Sequence, residues 1–177
     1  MCIAPRRYRP SLNAMTSPNG AAQPAPHPPE LDYLATIEVL VAEPLEVGQT
    51  RAGRRRVIPI EGGTVTGPRL RGHVLRGGAD FQLISSATTS ELDARYVLET
   101  DDGERLFVTN TAYRTGTAAD IEALAAGERV PPERIYFRCV PRFEVAGEKW
   151  RWLEHTVVIG SGRRDPDRVI IDLWQVR

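Results

Sequence analysis

The residues best suited to chemistry lie in a predicted β-hairpin that spans residues 92–113. Its turn carries Asp102-Gly103, a pair favoured in two-residue type I′ turns because both central residues need positive φ. Such a turn would pair Arg95 with Asn110 and bring Asp93 onto the same face. A guanidinium, an amide and a carboxylate at one end of that face could bind and polarise a carbonyl compound.

A second carboxylate, Asp80, follows a double glycine and precedes an apolar strand. Partial burial would raise its pKa and let it exchange protons near neutral pH. We predict Asp80, Arg95 and Asp93 as catalytic residues: a carboxylate would accept the proton, and Arg95 would hold a carbonyl or carboxylate oxygen. The alternative is that Asp80 is a turn residue that accepts hydrogen bonds from nearby backbone N–H groups.

The face that carries Arg95 also carries apolar side chains, Val97 and Val108 in the predicted register. A ligand-holding barrel needs such a mixture of an apolar floor and a few convergent polar groups. We therefore predict Val97, Val108 and Asn110 as ligand-binding. The pattern is equally compatible with the opposite arrangement, in which this face lies outside and the face with Tyr96 is enclosed.

Two further ligand contacts are predicted from residue type. His73 lies in a predicted strand, and Trp152 belongs to a late aromatic cluster that could stack on a planar ligand. No His, Cys and Asp spacing resembles a metal site, so no metal is predicted. Because there is neither a phosphate-binding loop nor a dinucleotide fingerprint, no cofactor is predicted either.

The elements that must position these residues are mostly strands. Frequent glycines between short apolar runs at residues 58–80 are typical of bends and bulges in a sheet that curls on itself. We predict one all-β domain at residues 31–177, a single antiparallel β-barrel of calycin or lipocalin type with one short helix at Ala118–Ala126. Near the C-terminus we predict strands at Trp150–Ile159 and Val169–Val176, joined by a loop at Gly160–Asp167.

Composition restricts the function classes. Lys+Arg and Asp+Glu number 23 each, which argues against nucleic-acid or anionic-membrane partners. Residues 1–30 hold seven of the 14 prolines and are predicted to be a disordered tail. With only Cys2 and Cys139, and no long apolar run, we expect a reducing, cytoplasmic location.

Four segments together resemble the DUF3237 family, also called UPF0311: VGQTRAGRRRVIPIEGGTVTGPRLRGHVLRGGADF, LDARYVLETDDGERLFV, IYFRCVPRFEV and KWRWLEHTVVIGSG. The resemblance runs from about Leu31 to Val176. It implies a compact β-barrel that self-associates, with a homodimer as the expected partner state. It also implies, from some relatives, cyclisation or dehydration of polyketide-like compounds. Glu154 stands where the family usually has Asn, so it is added to the predicted ligand contacts.

The leading hypothesis is a barrel that binds a mostly apolar small molecule and catalyses proton transfer in its cyclisation, dehydration or isomerisation. One alternative is a non-catalytic carrier with the same barrel. Another is a structural homodimer whose barrel is filled by side chains. In that case the lumen should be smaller than about 300 Å³.

Overall fold

The structure is a computed structural model that describes residues 26–177. The predicted tail falls, up to residue 25, outside the described residues, as does Cys2. The described residues form ten strands: β1 (Leu31–Val41), β2 (Leu45–Thr50), β3 (Gly53–Thr66), β4 (Gly72–Val74), β5 (Ala79–Ser86), β6 (Thr89–Thr100), β7 (Arg105–Thr115), β8 (Tyr136–Val145), β9 (Val158–Asp165) and β10 (Arg168–Val176). They also form one α-helix, α1 (Ala118–Ala125), and two short 3₁₀ helices, Pro132–Arg134 and Glu148–His155.

These strands form one closed antiparallel barrel. Strands β6 to β10 pair in chain order, and β10 pairs with β1. Strands β1 and β2 lie in succession along one side of β3, while β4 and β5 lie along its other side and also pair with β6. The β1–β3 pairing closes the barrel around a lumen. Because β1 and β2 together occupy one position around the barrel, and β4 and β5 another, the ten strands form an eight-stranded barrel. The predicted all-β barrel is therefore confirmed.

The hairpin β6–β7 has a different turn from the predicted one. Three residues, Asp101 to Gly103, lie between the paired residues Thr100 and Glu104: the Gly103 N–H donates to the Thr100 carbonyl at 2.8 Å, and the Thr100 N–H donates to the Glu104 carbonyl at 2.9 Å. Gly103 has φ +84°, as a three-residue hairpin with a bulge requires.

This turn shifts the predicted pairing by one residue. Asn110 therefore faces Ala94 rather than Arg95, and Asp93 faces Thr111. Because side chains alternate along a strand, the shift moves every β7 side chain to the opposite face relative to β6.

The predicted strand at Trp150–Ile159 is wrong over most of its length. Residues Glu148–His155 form a 3₁₀ helix, which covers the barrel end nearest the β6–β7 turn and buries Trp150 and Leu153. The predicted loop at Gly160–Asp167 is also wrong, because β9 runs through Asp165. By contrast, helix α1 matches its predicted start, where the Thr117 hydroxyl accepts a hydrogen bond from the Asp120 N–H at 3.2 Å.

The two ends of the lumen differ in character. The end beneath the 3₁₀ helix is packed with buried apolar side chains, among them Leu98, Leu106, Val108 and Leu153. The end beneath α1 keeps open space and polar groups. Among residues 26–177, no helix is long and apolar enough to span a bilayer.

The barrel closure depends on a glycine. Gly63 has φ +150°, and a Cβ there would overlap the Glu38 carbonyl on the neighbouring β1. Gly63→Ala should therefore lower the free energy of unfolding by about 3 kcal/mol or more. The control Gly103→Ala, whose Cβ would meet open space, should cost about 1 kcal/mol through its positive φ alone. Urea unfolding of both variants tests this, and equal losses would contradict the role given to Gly63.

Candidate functional site

Three polar side chains deep in the lumen form a cluster that we call the acid tier: Asp80, Asn110 and Tyr96. Asp80 lies opposite Ala94, which lies opposite Asn110, so the carboxylate and the amide flank a methyl group. Two strand spacings separate their backbones by about 10 Å. The small Ala94 side chain leaves the space between them open, and Tyr96 projects from the next inward position of β6.

The Asp80 carboxylate is held at one oxygen and free at the other. Its Oδ2 accepts a hydrogen bond from Gln82 Nε2 at 2.6 Å. Its Oδ1 is sealed from solvent and has no hydrogen-bond partner among residues 26–177. Burial raises the pKa of Asp80, while the Gln82 hydrogen bond, the charge of Arg114, the nearby Asp93 backbone N–H and the charge of Arg56 oppose the rise. A buried carboxylate with a raised pKa and one free oxygen is suited to accept a proton.

The other two members of the acid tier are buried and only partly satisfied. Tyr96 is 2% exposed and Asn110 is 4% exposed. Neither the Tyr96 hydroxyl nor Asn110 Oδ1 has a hydrogen-bond partner of good geometry in the described part of the chain, although Asn110 lies close enough to Tyr96 to oppose the rise of its pKa. Burial raises the pKa of Tyr96, so its hydroxyl stays protonated at neutral pH and can donate. Unpaired buried polar groups are rare and costly, so three around one cavity indicate a place for a polar ligand atom or water.

Three arginines lie nearer α1, and we call them the arginine tier: Arg114 and Arg164, which line the cavity, and Arg56, which is buried beside it. Arg56 donates to Gln82 Oε1 at 2.9 Å and to the Ala125 carbonyl at the end of α1 at 3.0 Å. Arg164 Nη1 donates to the carbonyls of Asp165 and Arg168.

Arg114 differs from its two neighbours because its guanidinium lacks partners. It is 1% exposed, and its Nε and Nη2 have no hydrogen-bond partner among the residues described. Burial, helped by the charge of Arg56, lowers the pKa of Arg114 to about 10. The side chain thus remains charged at neutral pH.

The cavity between these tiers is small. It leaves about 40 Å³ for the centres of water-sized molecules, within about 550 Å³ not occupied by protein atoms. Its remaining walls are mainly apolar: Val39, Val41, Ile58, Ile60, Leu92, Ala94, Ala112, Phe137, Val169 and Ile171. Since a water needs about 10–15 Å³ by this measure, the space holds about three water-sized groups. It is well below the roughly 300 Å³ of an ordinary ligand pocket.

The structure places two of the predicted catalytic residues, Arg95 and Asp93, outside the lumen. Both lie on the outer face of the barrel, where Arg95 Nη2 and Asp93 Oδ2 form an ion pair at 3.1 Å with the side chains 55% and 39% exposed. The prediction that these two residues face the lumen is wrong because it assumed a two-residue turn, which sets a different register for the hairpin. The alternative that the face with Tyr96 is enclosed is the one observed.

The predicted ligand contacts divide in the same way. Val97 and His73 alternate with inward residues and lie on the outer face. Trp152 and Glu154 lie on the 3₁₀ helix at the far end: Arg69 stacks on the Trp152 ring at 4.3 Å, and Glu154 Oε1 accepts a hydrogen bond from the Val145 N–H at 2.9 Å. Asp80 and Asn110 line the cavity, and Val108 belongs to the packed core below it.

Sequence reasoning missed Tyr96 as a polar group and missed the arginine tier. Arg114 follows Asn110 by four residues, so strand alternation places both on the same face, but the predicted hairpin ended at residue 113. Arg164 fell in the segment predicted to be a loop. Among residues 26–177, no group of three or more His, Cys, Asp or Glu side chains is arranged to hold a metal ion.

The raised pKa of Asp80 has a consequence for stability. A raised pKa in the folded state means that folding favours the protonated acid. This contribution is present below the unfolded-state pKa of about 3.9 and is lost as the pH rises through the folded-state pKa. The unfolding free energy of Asp80→Asn, which cannot titrate there, should therefore rise relative to wild type as the pH increases above about 4.

Urea unfolding at several pH values measures this difference. The matched control is Asp93→Asn, which removes an exposed carboxylate paired with the exposed Arg95. The difference in unfolding free energy between this variant and wild type should change much less with pH. A difference between Asp80→Asn and wild type that stays constant or falls with rising pH would contradict the assigned pKa direction.

Comparison with known proteins gives relatives along nearly the whole described chain. Residues 29–176 match the family described as "Protein of unknown function (DUF3237)". The chain is 45% identical over 150 residues to the UPF0311 protein blr7842 of Bradyrhizobium diazoefficiens, which covers 84% of this chain and 98% of that protein. The crystal structure of RPA1785, a conserved protein of unknown function from Rhodopseudomonas palustris, is 41% identical with a TM-score of 0.80, covering 86% of this chain and 100% of that one.

A more distant relative has a named activity. The hydroalkoxylation enzyme phnH of Penicillium herquei is 22% identical over 151 residues, which is 85% of this chain and 86% of that protein. A crystal structure of an enzyme from Penicillium herquei has the same fold, with a TM-score of 0.65, 21% identity and coverage of 88% of this chain and 99% of that one. The predicted resemblance is confirmed, and the chain belongs to the DUF3237 family, with UPF0311 proteins among its relatives.

Proposed function

We propose that the lumen binds a small, mostly apolar organic compound and that Asp80 transfers a proton in its cyclisation, dehydration or isomerisation. The observation that carries this proposal is the convergence of unpaired buried atoms on one cavity: Asp80 Oδ1, Tyr96 OH, Asn110 Oδ1, and Arg114 Nε and Nη2. A bound ligand with oxygen atoms would satisfy them, while the apolar walls would hold its carbon skeleton.

The acid tier supplies the groups that proton transfer needs. Asp80 Oδ1 would take a proton from a hydroxyl or from a carbon next to a carbonyl, and the protonated acid would return it to another atom of the same compound. Tyr96 can donate a hydrogen bond to a ligand oxygen, and Asn110 can accept one from a ligand hydroxyl. The positive charge of Arg114 favours a negative oxygen in the lumen.

The distant similarity to a hydroalkoxylation enzyme supports this reaction type. Hydroalkoxylation adds the O–H of an alcohol across a carbon–carbon double bond, so that a C–O bond forms, the O–H bond breaks and a proton moves to carbon. One carboxylate that removes a proton and then delivers it can serve such a step without a redox change. We extend this to a proton-transfer reaction class for the chain, rather than to the substrate of that enzyme.

The small cavity bears on the alternative of a barrel filled by side chains. A purely structural interior is expected to be apolar or fully hydrogen-bonded, because each unpaired buried group costs stability. Arg114 and the acid tier do not fit that expectation. A ligand larger than about three water-sized groups would require side chains at the α1 end to move.

Substitution of Asp80 tests the proposal. Wild-type protein, incubated in D₂O with a panel of small unsaturated alcohols and hydroxyketones, should catalyse ring closure, water loss or C–H exchange visible by ¹H NMR. Asp80→Asn should reduce the rate by about 100- to 10,000-fold, the usual contribution of a positioned acid or base. Asp93→Asn, an outer-face control with the same chemical change, should leave the rate within about twofold of wild type.

The outcomes separate the alternatives. An Asp80→Asn rate equal to that of the control would remove Asp80 from the mechanism. Ligand binding by wild type without turnover on any compound would indicate a carrier, and the absence of both would indicate a filled structural barrel.

A further inference from the structure

We infer that the ligand of this lumen is an organic anion whose carboxylate binds Arg114 across the Nε–Nη2 edge of the guanidinium. This inference names the ligand class for the proposed function and rests on ligand binding in the lumen, though not on proton transfer. The carbon skeleton of the acid would extend from Arg114 past Ala94 toward Asp80.

The geometry of Arg114 supports a carboxylate in particular. Its two unpaired donors, Nε and Nη2, belong to the same edge of the guanidinium. Elsewhere in this protein that edge binds carboxylates through two hydrogen bonds: Arg54 to Glu46 at 3.1 and 3.0 Å, and Arg168 to Asp167 at 3.1 and 2.8 Å. In the described part of the chain no carboxylate lies within 4.0 Å of Arg114. A planar oxyanion with two oxygens matches such an edge.

The charge of the lumen supports an anion independently. Arg114 and Arg164 line the cavity with two positive charges, and Asp80 is the carboxylate in its lining, so the lining carries a net charge of at least +1. Arg56 adds a further buried positive charge beside it. The nearest other carboxylates, such as Glu46 beside Arg56 at 3.9 Å, lie at the rim and are exposed to solvent. A fully buried charge without a counterion is costly, and an anionic ligand would supply the missing partner.

A polar vestibule outside the lumen gives an anion a route inward. It lies between the end of α1, the Ala42–Pro44 segment and the Pro166-Asp167 turn, and its volume is about 340 Å³. Arg56 lines this vestibule, and Arg164 and Val41 line both the vestibule and the cavity. Glu43 and Asp167 also line the vestibule, so its charge is balanced overall, and the positive side chain that would draw an anion further in is Arg164, which faces the cavity as well.

The size of the cavity limits the acid. Space for about three water-sized groups accommodates the carboxylate group itself, and one or two further carbons require only small movements of the side chains at the α1 end. Sodium propanoate is therefore a suitable probe, and propanamide is its neutral counterpart of nearly the same shape.

Calorimetric titration and thermal unfolding with these probes test the inference. Propanoate, compared with sodium chloride at equal ionic strength, should bind wild type and raise its melting temperature, while propanamide should do neither. Arg114→Met should weaken propanoate binding by about tenfold or more, because two charge-assisted hydrogen bonds are lost. The matched control is Arg95→Met, which makes the same substitution on the outer face of β6. This variant should bind propanoate as tightly as wild type does.

The melting temperature without ligand provides a second readout. Arg114→Met replaces an unpaired buried charge with an apolar side chain of similar volume. The variant should therefore be at least as stable as wild type. Equal propanoate binding by Arg114→Met and wild type, or equal binding of propanamide and propanoate, would overturn the inference. So would the absence of propanoate binding to wild type.

Asp80→Asn keeps this inference distinguishable from the proposed reaction. Since it removes a negative charge near the carboxylate, this variant should bind propanoate at least as tightly as wild type. Propanoate binding by Asp80→Asn together with full turnover would refute the proton-transfer role and leave the anion site intact. Turnover that depends on Asp80 but not on Arg114, without propanoate binding, would do the reverse.

Discussion

The inward or outward direction of each side chain in a closed barrel is the constraint on which the site depends. Strand alternation gives every residue only two choices, and closure through β1 and β3 makes one of them enclosed and the other solvated. The β6–β7 turn sets that choice for the hairpin at the centre of the site. With three residues in the turn, Asn110 and Arg114 enter the lumen together with Tyr96, while Arg95 and its partner Asp93 face solvent.

The two halves of the lumen have opposite physical roles. The half beneath the 3₁₀ helix is apolar and closely packed, and it supplies the burial that stabilises the barrel. The half beneath α1 contains charged and amide groups whose burial opposes folding. The apolar half thus forms a stable framework that holds a poorly satisfied polar cluster in place.

Much of the fold could be predicted because composition and glycine spacing are strong signals for a curled sheet, and because α1 has a Thr cap. The register of the hairpin could not. Asp102-Gly103 fits a two-residue turn as well as a three-residue turn with glycine third, and β7 has apolar side chains on both faces, so neither local chemistry nor alternation decided between them.

Other differences came from tertiary contacts. Trp150–His155 has the aromatic content of a strand, yet its buried residues Trp150 and Leu153 are three apart because the segment packs as a helix across the barrel end. Of the site, Asp80 and Asn110 could be predicted from turn chemistry and residue type. The role of Arg114 depends on the length of β7, which extends two residues beyond the predicted end of the hairpin.

One hydrogen-bonded chain connects the interior to the outer helix. The Ala125 carbonyl at the end of α1 accepts from Arg56, Arg56 donates to the Gln82 oxygen, and the Gln82 amino group donates to Asp80. Because Arg56 occupies the Gln82 oxygen, only N–H donors of that amide are left for the carboxylate, which favours its ionised form. A displacement of the end of α1 that released Arg56 would free the Gln82 amide to rotate. The pKa of Asp80 at the barrel centre therefore depends on the position of α1 on the barrel surface.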